Sequence, residues 1–431
     1  MKLHRILAFV ANSIIIATLT VAFSWLVREV TKGQEWVPHN VSRVITFVST
    51  LPDRLDAAKQ ALERLPLVYV ETEEDFEPVN ELEEDVHILA TYAPADWKRT
   101  IAIINLRTGK EVKTWTIDRL ANPHNRIVHP VMLQDSSIIY ALQGVTGLIK
   151  IDAKGERLWK QDKIGHHHAI NPGVEGTIWA NTYWKDGRDY LYYGGSFNVG
   201  GRELPFVDNA ITQLDANTGE ILFHKSVAEI LRDNELGYLL VKSNTPGDPL
   251  HINDVEPVLY DGPHFKKGDV FISGRSGSWI LHYRPSTNEV IEVITGPFES
   301  QHDIDIESDS TITLFNNNSQ TLRGDRPDKW RLKEDRVQYP EMLSELVRYE
   351  LGSHDNFDKI IPEVFEQERI FSFTEGLHEL LPDGSYFVEE QNSSVLWVLK
   401  EDKVLYRDVL PSSHEGFHHL SNWARVLPNP N

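Results

Sequence analysis

The sequence predicts an all-β fold built from repeated four-stranded units behind an N-terminal apolar helix. Three observations carry this prediction. A hairpin with a Gly- or Asn-bearing turn recurs along the chain. A strand headed by histidine recurs before most of these hairpins. The two ends of the repeat each lack what the other supplies.

At the N-terminus "MKLHR" is basic, and "ILAFVANSIIIATLTVAFSWLV" (residues 6–27) runs uncharged to Arg28. A helix of that length covers about 33 Å, enough to cross a hydrocarbon core. A cleaved signal peptide is the alternative, with Ala22-Phe23-Ser24 as a small-x-small site, but apolar Trp25-Leu26-Val27 continue past it. Residues 1–32 are therefore expected to be an uncleaved signal anchor and transmembrane helix. Lys2 and Arg5 favour the inner side, although Arg28 and Lys32 flank the other end. The bulk of the chain is then extracytoplasmic, in the periplasm or at the cell surface.

Residues 33–85 read as a stalk helix and an acidic linker. In "TLPDRLDAAKQALERLP" (50–66) Thr50 can cap, Pro52 suits the first turn, and Leu55, Ala58, Leu62 and Leu65 share a face. "ETEEDFEPVNELEED" (71–85) holds nine carboxylates, the composition of a solvated linker.

From residue 86 to 431 short strands take over. The hairpin unit appears as "IINLRTGKEVKTW" (103–115), "IKIDAKGERLWK" (149–160) and "TQLDANTGEILFHK" (212–225). Degenerate forms are "LHYRPSTNEVIEV" (281–293) and "WVLKEDKVLYR" (397–407). Gly in such a turn supplies positive φ. The His-led strands start at His129, His167, His251, His302 and His378. One His-led pair plus one hairpin makes a four-stranded blade, and repeated blades make a β-propeller. The first hairpin lacks a His-led strand upstream, while "HHLSNWARVLP" (418–428) is a His-led strand with nothing after it. Joining these orphans gives a six-bladed β-propeller closed by a C-terminal strand, which removes exposed edges. Insertions fall at 183–210, 226–250 and 321–365.

Composition excludes several functions. The net charge of −21 argues against nucleic acid as a partner. The absence of cysteine rules out disulfides, thiolate metal sites, iron–sulfur clusters and a Cys nucleophile. The sequence has neither a phosphate loop nor a dinucleotide fingerprint, so no cofactor is expected.

The first strand of each propeller blade lines the channel. His129, His167, His251, His302, His378 and His418 are therefore expected to ring one mouth, with His124, His166, His264, His354 and His414 on surfaces or loops. Asn253 follows His251 on the same strand face, Arg275 ends the next strand, and "SQHDIDI" brings His302 from the neighbouring blade. Imidazoles, an amide and a guanidinium suit an oxyanion with several oxygens. Arg and Asn can hold the oxygens while one neutral imidazole attacks and another moves protons. Asp303 and Asp305 read as structural, orienting a neighbouring imidazole.

"HINDVEPV…GDVFISGR", then "GPFESQHDIDI…FNNNS", and earlier "HHAINP", resemble the bacterial arylsulfotransferase family over roughly residues 125–400. The resemblance implies an exported six-bladed propeller that moves a sulfuryl group between phenols without a nucleotide donor. Carried onto this sequence, it implies His302 as the nucleophile that becomes a sulfohistidine. His251, Asn253 and Arg275 would bind sulfuryl oxygens and assist proton transfer, and His167, or next His168, would complete the site. His378 is added here as a substrate-binding candidate from its place in the repeat. A disulfide found in some members cannot form without cysteine, and the N-terminal β-domain of the larger members has no counterpart. The implied partners are an aryl sulfate donor, a phenolic acceptor and the membrane, with a homo-oligomer or envelope protein partner left open. No metal enters this reading. Two alternatives stand beside it: a non-catalytic propeller scaffold or glycan- or protein-binding module of the envelope, and metal binding by the imidazoles.

Overall fold

The computed structural model describes residues 2–31, 68–93, 98–117, 126–142, 146–184, 193–243, 245–321, 336–338 and 342–428, with isolated positions between 38 and 48. The chain divides into two compact units, Met1–Pro66 and Leu67–Asn431.

In the first unit the uncharged run forms a helix, Lys2–Thr31, of which Val10–Arg28 is long and apolar enough to cross a membrane. Ile14, Ile16, Leu19 and Val21 are exposed on it. Thr20 satisfies its hydroxyl on the carbonyl of Ile16 one turn back, at 2.9 Å. The stalk helix expected at 50–66 lies outside the described residues.

Strands dominate the second unit, as antiparallel four-stranded sheets in a propeller-like ring. One sheet runs Arg425–Leu427, His87–Tyr92, Arg99–Asn105, Lys110–Ile117. The next holds Ile127–Met132, Ile138–Leu142 and Thr146–Ile151, and shares the long strand Arg157–Pro172 with Thr177–Tyr183, Asn209–Asp215 and Ile221–Ser226. Two further sheets run Ile252–Pro257, Val270–Gly274, Trp279–Arg284, Glu289–Ile294, and His302–Ile306, Thr311–Asn316, Glu345–Glu350, Phe357–Ile360. The last runs Leu377–Leu380, Tyr386–Glu390, Val395–Lys400, Lys403–Val409, with Val79–Asn80 added at its edge.

The core lies between sheets, because each sheet buries both faces on its neighbours. Ile252, Ile272, Trp279 and Leu281 pack against Ile211, Val227 and Leu231 on one side. On the other side, Phe271, Ile280 and Ile294 pack with Ile304, Leu314 and Tyr349. Middle strands such as Arg99–Asn105 and Val270–Gly274 are consequently buried along their whole length, and exposure returns at rim strands such as Lys110–Ile117 and Glu289–Ile294. The hairpin turns work as their residues require: Gly109, Gly155 and Gly219 sit at φ of 64°, 91° and 73°. In the degenerate hairpins Asn288 and Glu401 take the left-handed conformation without glycine, at 56° and 52°.

The acidic stretch differs from a solvated linker. The second unit begins at Leu67, Tyr69–Glu71 pairs with Phe417–His419, and Val79–Asn80 pairs with Tyr406 and Arg407. Its carboxylates stay largely exposed while its backbone forms half of one two-stranded sheet and extends a second sheet at its edge. Part of each expected insertion at 183–210 and 226–250 is ordered structure. Tyr193–Val199 and Arg202–Val207 form a hairpin, and Val227–Asp233 and Tyr238–Lys242 are short helices.

Candidate active site

The heads of four inner strands share one local device. Between Val128 and Val131, and again between Ile252 and Asp254 and between His302 and Ile304, the strand carries one residue more than its partner. Between His166 and Ile170 four steps oppose two on Thr177–Tyr183. Within or beside these bulges His129, His168, His251 and Asp303 take φ of 48°, 59°, 42° and 53°. A left-handed residue with a Cβ costs about 1–3 kcal/mol and persists only where the surroundings enforce it. The bulges re-aim side chains that a regular strand would send alternately to either face.

They bring four of the expected histidines together. The rings of His167 and His168 lie 4.1 Å apart, His167 and His251 4.9 Å, His168 and His251 5.4 Å, and His168 and His302 5.9 Å. Trp423 lies against this group, stacked on His168 at 5.6 Å and edge-on to His302 at 5.8 Å.

His302 is set up as a base with a spare lone pair. Asn317 donates from Nδ2 to the carbonyls of Ser372 (2.8 Å) and Glu375 (2.6 Å), so its Oδ1 is left to accept. That oxygen accepts from His302 Nδ1 at 2.7 Å. The Nδ1–H tautomer follows, and His302 Nε2, buried without a partner, holds the lone pair. Burial, then the charge of Arg275, holds the imidazole well below its ordinary pKa.

A second chain of polar contacts runs through His168, His251 and Asp248. His251 Nδ1 donates to Asp248 Oδ2 at 2.5 Å, and its Nε2 is 3.3 Å from His168 Nε2. His168 Nδ1 is buried without a partner, which favours the proton on Nε2. His167 donates from Nδ1 to the carbonyl of Ile252 at 3.1 Å. Burial pushes His167 down to about 3, and His251 adds to the effect.

Arg275 opens a short turn after Val270–Gly274, its backbone N–H on the carbonyl of His251 at 3.2 Å. Its charge reaches His302, His168 and Asp248. Asn253 is buried, with Nδ2 on the carbonyl of Gln301 at 2.6 Å, so it braces the residue preceding His302.

His378 is placed elsewhere. Its Nδ1 donates to Asp303 Oδ2 at 3.0 Å and its Nε2 lies 2.8 Å from Thr313 Oγ1. Asp303 thus orients an imidazole, as expected of it. His418 bonds Thr72 Oγ1 and the carbonyl of Ser393, at 2.9 and 2.8 Å. His129 lies against Arg425, whose Nη2 is 2.7 Å from Nε2. His166, expected at the surface, is fully buried with both ring nitrogens unpartnered, because the bulge carries it inside with its two neighbours. Sequence reasoning passed over Asp248, Asn317 and Trp423. Asp248 carried a signal, three residues before His251, and Asn317 stands inside the "FNNNS" stretch that carries the family resemblance.

Among solved structures, a Bacteroides caccae protein of unknown function is 11% identical at TM-score 0.45, covering 75% of this chain and 93% of that one. Streptogramin B lyase is 12% identical at TM-score 0.38, over 78% and 87%. The WD40 β-propeller domain of Doa1 is 8% identical at TM-score 0.40, over 82% and 88%. No curated protein matches the sequence. Residues 129–405, well over half of the chain and including every imidazole of the cluster, match the arylsulfotransferase (ASST) family. The chain belongs to the arylsulfotransferase family and is a sulfotransferase.

Proposed function

We propose that the chain transfers a sulfuryl group from an aryl sulfate to a phenol through a sulfohistidine on His302. The observation that carries this reading is the buried, unpartnered Nε2 of His302, its lone pair set by the Asn317 contact at Nδ1. Nε2 attacks sulfur, the sulfur–aryl oxygen bond breaks, and the phenolate leaves with the electron pair. Positive charge arising on the ring is stabilised by the Nδ1–H bond to Asn317 Oδ1. Arg275 holds the sulfuryl oxygens, and the remaining N–H of Asn253 assists. The departing phenolate is protonated by solvent, and the His168–His251–Asp248 chain takes the proton of the acceptor phenol on the lone pair of His168 and returns it to solvent, with His167 buttressing both rings. The acceptor oxygen then attacks sulfur, and the N–S electron pair returns to Nε2. A phenol, with pKa about 10, leaves and attacks more readily than an alkyl alcohol.

The same reading takes the sheets as six blades of one closed ring, supported by the pairing of Arg425–Leu427 with His87–Tyr92. It takes Lys2–Thr31 as a membrane anchor with the propeller extracytoplasmic, supported by its length, its composition and the basic residues before it.

Incubation with a chromogenic aryl sulfate alone should leave a sulfuryl adduct visible by intact mass and mapped to the peptide carrying His302. Addition of a phenol should discharge it to the aryl sulfate product. An adduct on another residue, or turnover by His302→Ala, would remove His302 from the mechanism.

A further inference from the structure

The geometry points to a second capacity in the imidazole cluster: His167, His168 and His251 form a tridentate site for one borderline divalent ion, zinc above all, with the fourth position open. Their donor atoms all lie within 4.8 Å of one another. His168 Nε2 and His251 Nε2 stand 3.3 Å apart. Two nitrogens each about 2.05 Å from one tetrahedral ion are about 3.3 Å apart, so this edge is already at ligand spacing. The three ring separations, 4.1, 4.9 and 5.4 Å, bracket the roughly 5 Å expected of rings sharing a tetrahedral ion through Nε2.

Two of the three other nitrogens are disposed as an outer shell requires. His251 Nδ1 donates to Asp248 and His167 Nδ1 to a backbone carbonyl. Each contact fixes its ring and leaves Nε2 with the lone pair, the tautomer a metal takes, whereas His168, protonated on Nε2 in the ion-free chain, must move that proton to Nδ1 to bind through Nε2. Neutral imidazoles select zinc or copper over magnesium or calcium, and the nearby carboxylate Asp248 is already engaged by His251. The cluster of Asp303, Asp305 and His378 has similar spacing, but both His378 nitrogens and one Asp303 oxygen already serve each other, Thr313 and the backbone.

An ion on these three nitrogens takes the lone pairs through which protons would move beside His302. Inhibition of transfer is therefore expected, and that consequence alone rests on the transferase reading.

The test uses the full chain in detergent, stripped with chelator and dialysed against Zn²⁺ or Co²⁺ without substrate. One ion per chain is expected, with the intense visible absorption of tetrahedral Co²⁺. Affinity should fall about a hundredfold in His168→Ala and in His251→Ala, and hold in His378→Gln. A Co²⁺ spectrum of octahedral type, sub-stoichiometric binding, or affinity unmoved by either substitution would overturn the site. The wild-type spectrum depends on no variant, so a misfolded mutant cannot hide the answer. Stoichiometric zinc with no transfer to any phenol removes the transferase reading and keeps the metal site. Transfer that proceeds unchanged in excess zinc, with no ion bound, does the reverse.

Discussion

His302 and Asp303 are neighbours in one strand, yet they belong to clusters built on opposite terms. The imidazole cluster of His167, His168, His251 and His302 leaves acceptor atoms buried and unused, among them His302 Nε2 and His168 Nδ1. The carboxylate cluster spends its acceptors on neighbouring inner strands. Asp254 Oδ2 takes the Ile304 N–H at 2.7 Å, Asp303 Oδ2 the His378 N–H at 2.6 Å, and Glu379 Oε1 the Val426 N–H at 3.0 Å. Glu389 takes the N–H groups of both Trp423 and Ala424 at 2.7 Å. Unmet hydrogen-bonding capacity is costly inside a protein, so where a fold keeps it the surrounding structure must sustain it. The difference teaches that a repeat position can serve chemistry in one blade and cohesion in the next.

The sharpest way to break this comparison is to truncate one imidazole from each side. On the proposed mechanism His302→Ala should lower turnover by about 10³-fold or more, since it removes the nucleophile, and should lower stability less than the His378 variant, since it strands only the oxygen of Asn317. His378→Ala should do the opposite. Removing it strands Asp303 and Thr313, which should lower stability by about 2–4 kcal/mol by denaturant titration. Turnover per folded molecule should change only several-fold. A His378 variant that is fully stable but inactive would merge the two clusters into one site.

A smaller effect is expected from Asp248→Asn. The amide keeps an oxygen to accept from His251 Nδ1 but removes the charge that favours an imidazolium. The rate at saturating donor should fall roughly tenfold to a hundredfold, with the limb of the pH–rate profile that reports the relay shifted and KM little changed. An unchanged pH profile would make Asp248 a packing residue only.

How much of this was legible in the sequence depends on the range of the contact that decides it. The turns were legible because Gly109, Gly155 and Gly219 act through their own φ. His251, Asn253, Arg275 and His302 were legible because repeat position alone brings them to neighbouring strand heads. His378 and His418 occupy the same repeat position but are claimed by partners that the repeat does not encode, Asp303 in the preceding blade and Thr72 in the acidic stretch. Trp423 was missed for the same reason, since it is not recognisable until the chain brings it to an imidazole from far away in sequence, whereas Asn317 lies only fifteen residues after His302 and nothing in "FNNNS" says which of its amides meets the ring. His166 was misplaced because a bulge changes which residues face inward, and nothing in "GHHHAI" announces its size.

The finest test of the comparison is the dependence of stability on pH, because the two clusters carry opposite signs. Burial holds His302 and His168 well below their ordinary pKa and His167 at about 3. Groups depressed in this way contribute stability that is complete above about pH 6.5 and is lost as pH falls through their folded values. Burial, with repulsion among neighbouring carboxylates, raises Asp254 to about 7, and burial raises Asp303 to about 8. A carboxyl raised in this way contributes stability that is complete below about pH 4 and is lost as pH rises through its folded value. Above about pH 7.5 the imidazole contribution is nearly constant, so a urea midpoint that falls as pH rises from there to about 8.5 belongs to the carboxylates. Asp303→Asn isolates the effect, because an amide mimics the protonated carboxyl and still accepts from His378. At pH 8 this variant should be more stable than the wild type, and its slope should be shallower by up to about 1.4 kcal/mol per pH unit, the contribution of one proton. A wild-type midpoint that is flat across that range, or a slope that Asp303→Asn leaves untouched, would mean the inner carboxylates are ionised in the fold. The cohesion ascribed to them would then rest on the charge of Arg425, which favours the ionised forms of Asp303 and Glu379.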